Sequence, residues 1–198
     1  MRELNFPSDR PVGTLDWDGA PSRGVLAIGQ VTVPEEASVE LSVEPFHSSP
    51  DRPRIMRPED RIDLSFVRGL PSDGIQSLRI RETRERSMDA LAHLAPGLRH
   101  LYLVWTEFSD AVLPTIAQLH ELIYLQTFGN QFSDDGVQQL VALQKLEALY
   151  LEEETLTAAA FAFADRLPRL ARLGLQDVTL TEADLAGLRR RLPGVDVG

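Results

Sequence analysis

Apolar residues recur through the second half of this chain at a spacing of 24 residues. Two of the clearest columns hold Leu98, Leu122, Leu146, Leu170 and Leu101, Leu125, Leu149, Leu173. Seven such columns comprise 28 positions, and all except Thr127 and Arg191 are apolar, whereas the 43% apolar content predicts about twelve. One unit of this length cannot bury its apolar face alone, so the period predicts a stack of similar units.

Each repeat begins with the pattern L-x-x-L-x-L, in which apolar and variable residues alternate as in a strand with one buried face. A hydroxyl residue then stands where a helix can begin, because its oxygen can accept a hydrogen bond from a free backbone N–H. These residues are Ser109, Ser133, Thr157 and Thr181. Leu113, Ile116 and Leu119 follow the first of them at intervals of three, which predicts the inner stripe of a short helix.

The full pattern, L-x-x-L-x-L-x-x-x-x-[FL]-[ST], resembles that of the leucine-rich-repeat family over residues 75–197. The family usually has Asn or Cys after the strand, and only Asn130 keeps that residue here. The resemblance implies an α/β solenoid with a parallel sheet on the concave side and helices on the convex side. We predict five parallel strands, which begin near Ile75, Leu98, Leu122, Leu146 and Leu170, and a closing strand near Val195–Val197.

Residues 1–61 contain no repeat and are predicted to form a β-rich N-terminal cap, while residues 62–198 form the leucine-rich-repeat array. Val25–Val33 and Val39–Val43 alternate like two strands of a hairpin with a longer loop. Ile62, Leu64 and Phe66 alternate again, which predicts a strand leading into the array. A cap is expected because the first repeat otherwise exposes the edge of its core, and a separate binding role is the alternative.

Composition excludes several classes of function. The chain has no cysteine, and its four histidines lack the spacing of a zinc site, so we expect no metal and no cofactor. No catalytic motif occurs, which predicts a protein that is not an enzyme. The net charge of −10 argues against nucleic-acid binding and favours a protein partner with a basic surface.

Neither a signal peptide nor an apolar run of about 20 residues is visible, which predicts a cytoplasmic protein that does not enter a membrane. All basic residues except Lys145 are arginine, as in proteins of GC-rich bacterial genomes.

The residues between the buried leucines should point away from the core, onto the concave face. All three tyrosines of the chain fall there, with aromatic and charged neighbours, which is the composition of binding hot spots. The predicted partner-binding residues are Arg79, Arg81, His100, Tyr102, Trp105, Tyr124, Phe128, Tyr150 and Glu152. Arg79 and Arg81 would flank the aromatic residues on the N-terminal side, and Glu152, Glu153 and Glu154 on the C-terminal side. Trp105 and Phe128 have an alternative role as structural packing in the loops.

These features predict a monomeric, non-catalytic module that binds a protein partner through the concave face. The alternative is a structural or scaffolding unit that self-associates through a sheet edge or the N-terminal hairpin. Five strands offer a flat face of roughly 320 Å², whereas a stable interface takes about 800 Å² from each partner. Tight binding is therefore expected to need the loops after the strands and the N-terminal region as well.

Overall fold

The computed structural model describes residues 1–43, 63–81, 87–106, 108–152 and 155–198. The strands are β1 (Arg2–Asn5), β2 (Thr14–Asp16), β3 (Val25–Leu26), β4 (Gln30–Val33), β5 (Glu40–Val43), β6 (Ser77–Arg81), β7 (His100–Val104), β8 (Tyr124–Phe128), β9 (Ala148–Glu152), β10 (Arg172–Gly174) and β11 (Asp196–Val197). The α-helices are α1 (Leu113–Ile116), α2 (Asp134–Val137) and α3 (Glu182–Arg191). Segments of 3₁₀ helix span Leu64–Gly69, Met88–Leu94, Asp110–Val112, Gln138–Ala142 and Ala158–Arg166.

Nine strands of the described residues form one main sheet, in the order β11-β10-β9-β8-β7-β6-β5-β2-β3. From β5 to β11 the neighbouring strands are parallel. The five strands expected from the repeat are β6 to β10, and the closing strand is β11, so the predicted solenoid architecture is confirmed. Leu101 pairs with Leu125 across two of these strands, in the register that the 24-residue period predicts.

The leucines that repeat in the sequence form the core between the main sheet and the helical segments. Leu78, Leu101, Leu125 and Leu149 lie side by side on successive strands, and none has any exposed surface. The predicted helical stripe of Leu113, Ile116 and Leu119 is fully buried in the same core. Burial of one such side chain contributes about 1.5–3 kcal/mol, so the stacked columns supply a large part of the stability.

Each predicted helix-starting residue of the array accepts a hydrogen bond from a backbone N–H inside its helical segment. The Ser109 and Thr157 hydroxyls accept from Ala111 and Ala159, and those of Ser133 and Thr181 accept from Gly136 and Asp184. The predicted caps are therefore confirmed. The helical segments are short and mostly 3₁₀, because a strand, two turns and a helix share 24 residues.

The caps are also tied from one repeat to the next by aspartates. The carboxylate of Asp110 accepts hydrogen bonds from the backbone N–H (2.8 Å) and the hydroxyl of Ser133. Asp134 accepts the same two bonds from Thr157, with an N–H to Oδ1 distance of 2.9 Å. In the last repeat the two bonds from Thr181 go instead to Asp184 inside α3, a capping box within one helix. Asp110 and Asp134 thus tie neighbouring helical segments together, whereas the cap of α3 is closed within its own repeat.

Asn130 satisfies buried polar groups of two repeats at once. Its Oδ1 accepts hydrogen bonds from the Thr106 hydroxyl and from the Phe108 N–H at 3.1 Å. Its Nδ2 donates to the carbonyl oxygen of Leu103 at 3.2 Å. Both Asn130 and Thr106 are buried. One asparagine therefore fixes the turn after β7 as well as the turn after its own strand.

The predicted N-terminal hairpin is wrong. β4 pairs antiparallel with β1 in a small separate sheet, whereas β5 pairs with β2 on one side and with β6 on the other. Both edges of β5 are thus occupied, so β4 cannot pair with it. β4 pairs instead with β1 in the small sheet, where Leu4 and Val33 are buried. The alternating pattern located strands correctly but could not identify their partners.

The strand expected around Leu64 and Phe66 is also wrong, since Leu64–Gly69 is a 3₁₀ helix. Asp63 caps it by accepting a hydrogen bond from the Ser65 N–H at 2.9 Å. The buried residues are Leu64 and Val67, three apart, which is the 3₁₀ repeat. The helical spacing competes with the alternating one in this short segment, and the cap favours the helix. Ile62 lies outside the described residues.

Candidate interaction surface

The side chains that alternate with the buried leucines point to the other side of the main sheet, which we call the open face. Strand register aligns them in columns across β6 to β10, as the sequence predicts. One column runs Ser77, His100, Tyr124, Ala148, Arg172; the next runs Arg79, Tyr102, Gln126, Tyr150, Gly174. A third holds Arg81, Val104, Phe128 and Glu152.

The three tyrosines form a continuous ladder across the middle of the open face. The ring centroids of Tyr102 and Tyr124 are 5.0 Å apart, and those of Tyr124 and Tyr150 are 5.4 Å apart. His100 adjoins Tyr124 with a centroid distance of 6.1 Å. Each of the three tyrosines is half-buried. The ladder is therefore a preformed aromatic surface whose side chains have little rotamer freedom left to lose.

Arg79 closes the N-terminal end of the tyrosine ladder. Its guanidinium carbon lies 4.4 Å from the centroid of the Tyr102 ring, within the range of a cation–π contact. Its Nε also lies 3.6 Å from Oε1 of Glu40, and the other carboxylate oxygen of Glu40, Oε2, accepts a hydrogen bond from the Ser77 hydroxyl at 2.9 Å. The positive charge expected on this side is therefore offset at Arg79, while Arg81 remains exposed.

At the C-terminal end, polar groups and a glycine hold the ladder in place. The Tyr124 hydroxyl donates to Oε1 of Gln126 at 3.3 Å, and Nε2 of Gln126 donates to Glu152 at 2.8 Å. Tyr150 covers Gly174 on the next strand, where no side chain interferes. Of the predicted acidic flank, Glu152 is on the open face, whereas Glu153 and Glu154 lie outside the described residues.

Trp105 and Phe128 form a second aromatic pair at the edge of the open face, where the strands end. Their ring centroids are 4.4 Å apart in an edge-to-face arrangement, and the backbone N–H of Trp105 donates to the backbone carbonyl oxygen of Phe128 at 2.8 Å. Trp105 has a φ of 54°, and Gly129, with a φ of 66°, lets its backbone approach the indole ring. The two rings are half-buried and pack against each other, not in the tyrosine ladder.

Burial changes the acid–base properties of the ladder. Desolvation, with smaller contributions from Tyr102, Tyr150 and Glu152, raises the pKa of Tyr124 to about 12. Desolvation also raises the pKa of Tyr102, against the opposing charge of Arg79. The pKa of His100 is lowered, mainly by desolvation, although the Glu40 carboxylate opposes this shift. His100, Tyr102 and Tyr124 are therefore uncharged near neutral pH.

Sequence reasoning missed Glu40 and Gln126, which contact the predicted site residues. Gln126 was visible as a member of the second column but carried no distinctive signal. Glu40 lies in a segment whose apolar residues, Val39, Leu41 and Val43, alternate like those of the repeat strands. That alternation was the available signal, but it lies outside the 24-residue period, so the place of β5 beside β6 did not follow from it.

The described residues contain no group of three or more His, Cys, Asp or Glu side chains that could hold a metal ion. Among the same residues, no helix is long and apolar enough to cross a membrane.

Comparison with known proteins gives matches among solved structures alone, since no protein-family model and no curated protein matches the chain. A leucine-rich-repeat protein of Leptospira interrogans aligns with a TM-score of 0.52 at 20% identity, over 70% of this chain and 34% of its own. An internalin and internalin C2 of Listeria monocytogenes align at 16% and 21% identity, with TM-scores of 0.44 and 0.45. These cover 68% and 69% of this chain and 50% and 65% of the internalins.

This chain thus spans less than two thirds of the length of each of these proteins. The Leptospira protein shares the fold, and the buried leucine columns, the parallel main sheet and the helical segments behind it are the features of that fold. The chain therefore has the leucine-rich-repeat fold.

Proposed function

We propose that this chain is a non-catalytic module that binds a protein partner through the open face and the loops at its edge. The observation that carries the proposal is the ladder of Tyr102, Tyr124 and Tyr150, half-exposed on the sheet side away from the core. In the part of the chain that the structure describes, the helical segments pack on the opposite side of the sheet.

A tyrosine ladder of this kind suits protein binding for an energetic reason. Tyr and Trp are enriched at interface hot spots, because they bury a large area and lose few rotamers. Here much of the rotamer entropy is already lost in the free protein, since ring contacts and Gly174 hold the tyrosines in place. A partner would therefore gain the contact area at a reduced entropic cost.

The size of the open face bears on affinity. The sequence predicts five strands and a face about 20 Å long, whereas the main sheet has nine described strands and is about 38 Å long. The outer strands are short, so the flat area rises from about 320 to roughly 500 Å². This is still below the roughly 800 Å² per partner of a stable interface. We therefore propose that Trp105 and the turn at residues 129–131 also contact the partner.

The chemistry of the open face favours binding over catalysis. The pKa values of Tyr102 and Tyr124 are shifted upward, which disfavours the phenolate that a nucleophile or general base would need. Glu152 accepts a hydrogen bond from Gln126, and Glu40 contacts Arg79 and Ser77, so both carboxylates already have protein partners.

We also propose that residues 1–61 cap the array of residues 62–198. In support of this, β5 occupies the edge of β6 and contributes the fully buried Leu41 and Val43 to the common core.

The monomeric state and the cytoplasmic location remain predictions from the sequence. Self-association is the second candidate, favoured by the 49% exposed Leu26 on the edge strand β3. Size-exclusion chromatography with light scattering distinguishes self-association from binding of a different protein, since a concentration-dependent dimer would support self-association.

The proposed function is tested by affinity capture with the double variant Tyr124→Ala/Tyr150→Ala. The matched control is Val141→Ala/Leu185→Ala, which truncates two partly buried side chains that pack on the core in helical segments. We expect partners captured by the wild type and by the control to be lost with the tyrosine variant. Equal capture by all three proteins would contradict the proposal. Circular dichroism verifies that each variant is folded before capture.

A further inference from the structure

We infer that the docking surface continues from the tyrosine ladder across β5, β2 and β3, and that it receives a protein segment carrying a basic side chain beside apolar ones. This inference rests on the proposed function and extends it to the chemistry of the partner. Four observations support it: the strand pairing at the N-terminal end, the charges there, an exposed leucine and the contacts of Arg79.

Strand pairing places the N-terminal residues on the open face. Glu40 pairs with Ser77 and Asp16 pairs with Glu40, so these side chains point to the same side of the main sheet. The core residues Leu15 and Leu41 pair with each other and point to the opposite side. Asp16 and Glu40 therefore extend the column that leads through His100 to Tyr124.

The charges at this end are not balanced within the described residues. Asp16 is exposed, and no described residue forms an ion pair or a hydrogen bond with its carboxylate. Glu40, which lies directly opposite, is 34% exposed and already has Arg79 at 3.6 Å. Like charges directly opposite on neighbouring strands are destabilising. A Lys or Arg side chain of a partner would relieve this repulsion, and a second carboxylate would increase it.

An exposed apolar side chain lies beside these carboxylates. Leu26 pairs with Thr14, which pairs with Ser42, so Leu26 lies on the open face at the end of the Arg79 and Tyr102 column. It is 49% exposed. The surface thus has apolar groups at both ends, Leu26 and the tyrosine ladder, with carboxylates between them. A partner segment that fits this order has a basic side chain flanked by apolar side chains.

Arg79 shows how this surface holds a cation. Its guanidinium lies over a tyrosine ring and beside a carboxylate, at 4.4 and 3.6 Å. Asp16 lies four strand spacings from Tyr124, or about 19 Å. An extended chain covers that distance in about six residues. The inferred segment therefore carries its basic residue about six positions from the apolar residue that contacts Tyr124.

The test uses a displayed library of random 12-residue peptides, selected on the whole wild-type chain. Selected peptides are then titrated by fluorescence anisotropy against the wild type, Asp16→Asn, Asp16→Asn/Glu40→Gln and Tyr124→Ala/Tyr150→Ala. The control, Asp18→Asn/Glu36→Gln, makes the same change in net charge at two exposed carboxylates off the main sheet strands. Asp16→Asn alone keeps the test valid if the double variant folds poorly, because Asp16 is exposed and no described side chain forms a hydrogen bond or an ion pair with its carboxylate.

We expect the selected peptides to be enriched in Lys or Arg about six positions from an apolar residue. Binding should weaken about tenfold in Asp16→Asn/Glu40→Gln, less in Asp16→Asn, and not in the control. Loss of this difference at 1 M salt would support an ionic contact, because the screening length there is about 3 Å.

Two results would overturn the inference while leaving the proposed function intact. One is a set of selected peptides that is not enriched in Lys or Arg. The other is unchanged affinity in Asp16→Asn and in Asp16→Asn/Glu40→Gln, together with a loss of affinity in Tyr124→Ala/Tyr150→Ala. Unchanged affinity in the tyrosine variant would instead contradict the proposed function. Failure to select any binding peptide would also overturn the inference, since it requires a short segment to suffice.

Discussion

The ring of Tyr150 lies directly over the backbone of Gly174 on the neighbouring strand. A Cβ at Gly174 would lie 2.1 Å from Cδ1 of Tyr150, well inside the van der Waals distance. The absence of a side chain on β10 is thus what allows the last ring to stack on Tyr124. The tyrosine ladder therefore depends on a residue that has no functional group of its own.

Gly174→Ala is expected to displace the Tyr150 ring and to lower the free energy of unfolding by about 1–3 kcal/mol, as overpacking typically does. Chemical denaturation measures the loss, and near-ultraviolet circular dichroism reports the tyrosine environment. The control is Gly187→Ala in α3, where a Cβ meets only an Arg190 nitrogen at 4.0 Å. At that position alanine is a better helix former than glycine, so Gly187→Ala should raise the free energy of unfolding by about 0.5–1 kcal/mol. Equal stability of Gly174→Ala and wild type would show that Tyr150 is not held over Gly174.

Leu125→Ala tests whether the repeat columns are the core. Leu125 has no exposed surface and lies between Leu101 and Leu149 on the flanking strands, which cannot close the cavity without breaking register. We expect a loss of about 2–5 kcal/mol in the free energy of unfolding. Gln139→Ala, an exposed position on the helical side, should change it by less than about 0.5 kcal/mol. A loss below about 1 kcal/mol at Leu125 would contradict the assignment.

The sequence could predict β6 to β10 because burial at each leucine follows from a local rule that is repeated every 24 residues. Once Leu101 and Leu125 occupy equivalent positions, the direction of Tyr102 and Tyr124 away from the core follows from strand alternation. This is why the columns of the open face were correct even though side-chain contacts could not be foreseen.

The N-terminal strands lacked such a rule. Val39, Leu41 and Val43 alternate as β7 does, but alternation gives the burial of a strand and not its partner. The contact between Glu40 and Arg79 joins residues far apart in the sequence and depends on that pairing. The charge of the N-terminal flank was therefore predicted from Arg79 and Arg81 alone, without the carboxylate that offsets one of them.

Asn130→Ala is expected to destabilise the turns after β7 and β8 together. The change leaves the Thr106 hydroxyl, the Phe108 N–H and the Leu103 carbonyl without this partner in a buried setting. Each unsatisfied buried polar group costs about 1–3 kcal/mol. Because the turns can relax and recover part of this cost, we expect the free energy of unfolding to fall by about 2–4 kcal/mol in total. Equilibrium denaturation measures this, with the exposed neighbour Gln131→Ala as the control. Equal effects at the two positions would contradict the bridging role.

Asp134 and Asp135 offer a matched comparison within one helical turn. Both carboxylates lie at the start of α2, but Asp134 also accepts the N–H and hydroxyl of Thr157 from the next repeat. Asp134→Ala should lower the free energy of unfolding by about 1–2 kcal/mol, as the loss of a helix-capping interaction does. Asp135→Ala should lower it by less than about 0.5 kcal/mol. Thermal denaturation of the two variants gives the difference. Equal losses would mean that the helix dipole, and not the tie between repeats, is what matters.

His100 makes stability depend on pH in a predictable direction. Burial beside Tyr124 lowers its pKa below the ordinary value of 6.5, since the Glu40 carboxylate only partly offsets desolvation and Arg99 lowers the pKa further. Above pH 6.5 the imidazole is neutral in both the folded and the unfolded chain, and its contribution does not change with pH. Below pH 6.5 the unfolded chain takes up the proton first, so the free energy of unfolding falls until the folded-state pKa is reached.

Carboxylates that titrate in the same range also lower the free energy of unfolding as the pH falls, so the wild type has to be compared with His100→Asn. We expect the wild type to lose more stability than this variant between pH 6.5 and pH 5, as measured by urea denaturation at each pH. Parallel pH profiles for the two proteins would show that the imidazole is not desolvated on the open face.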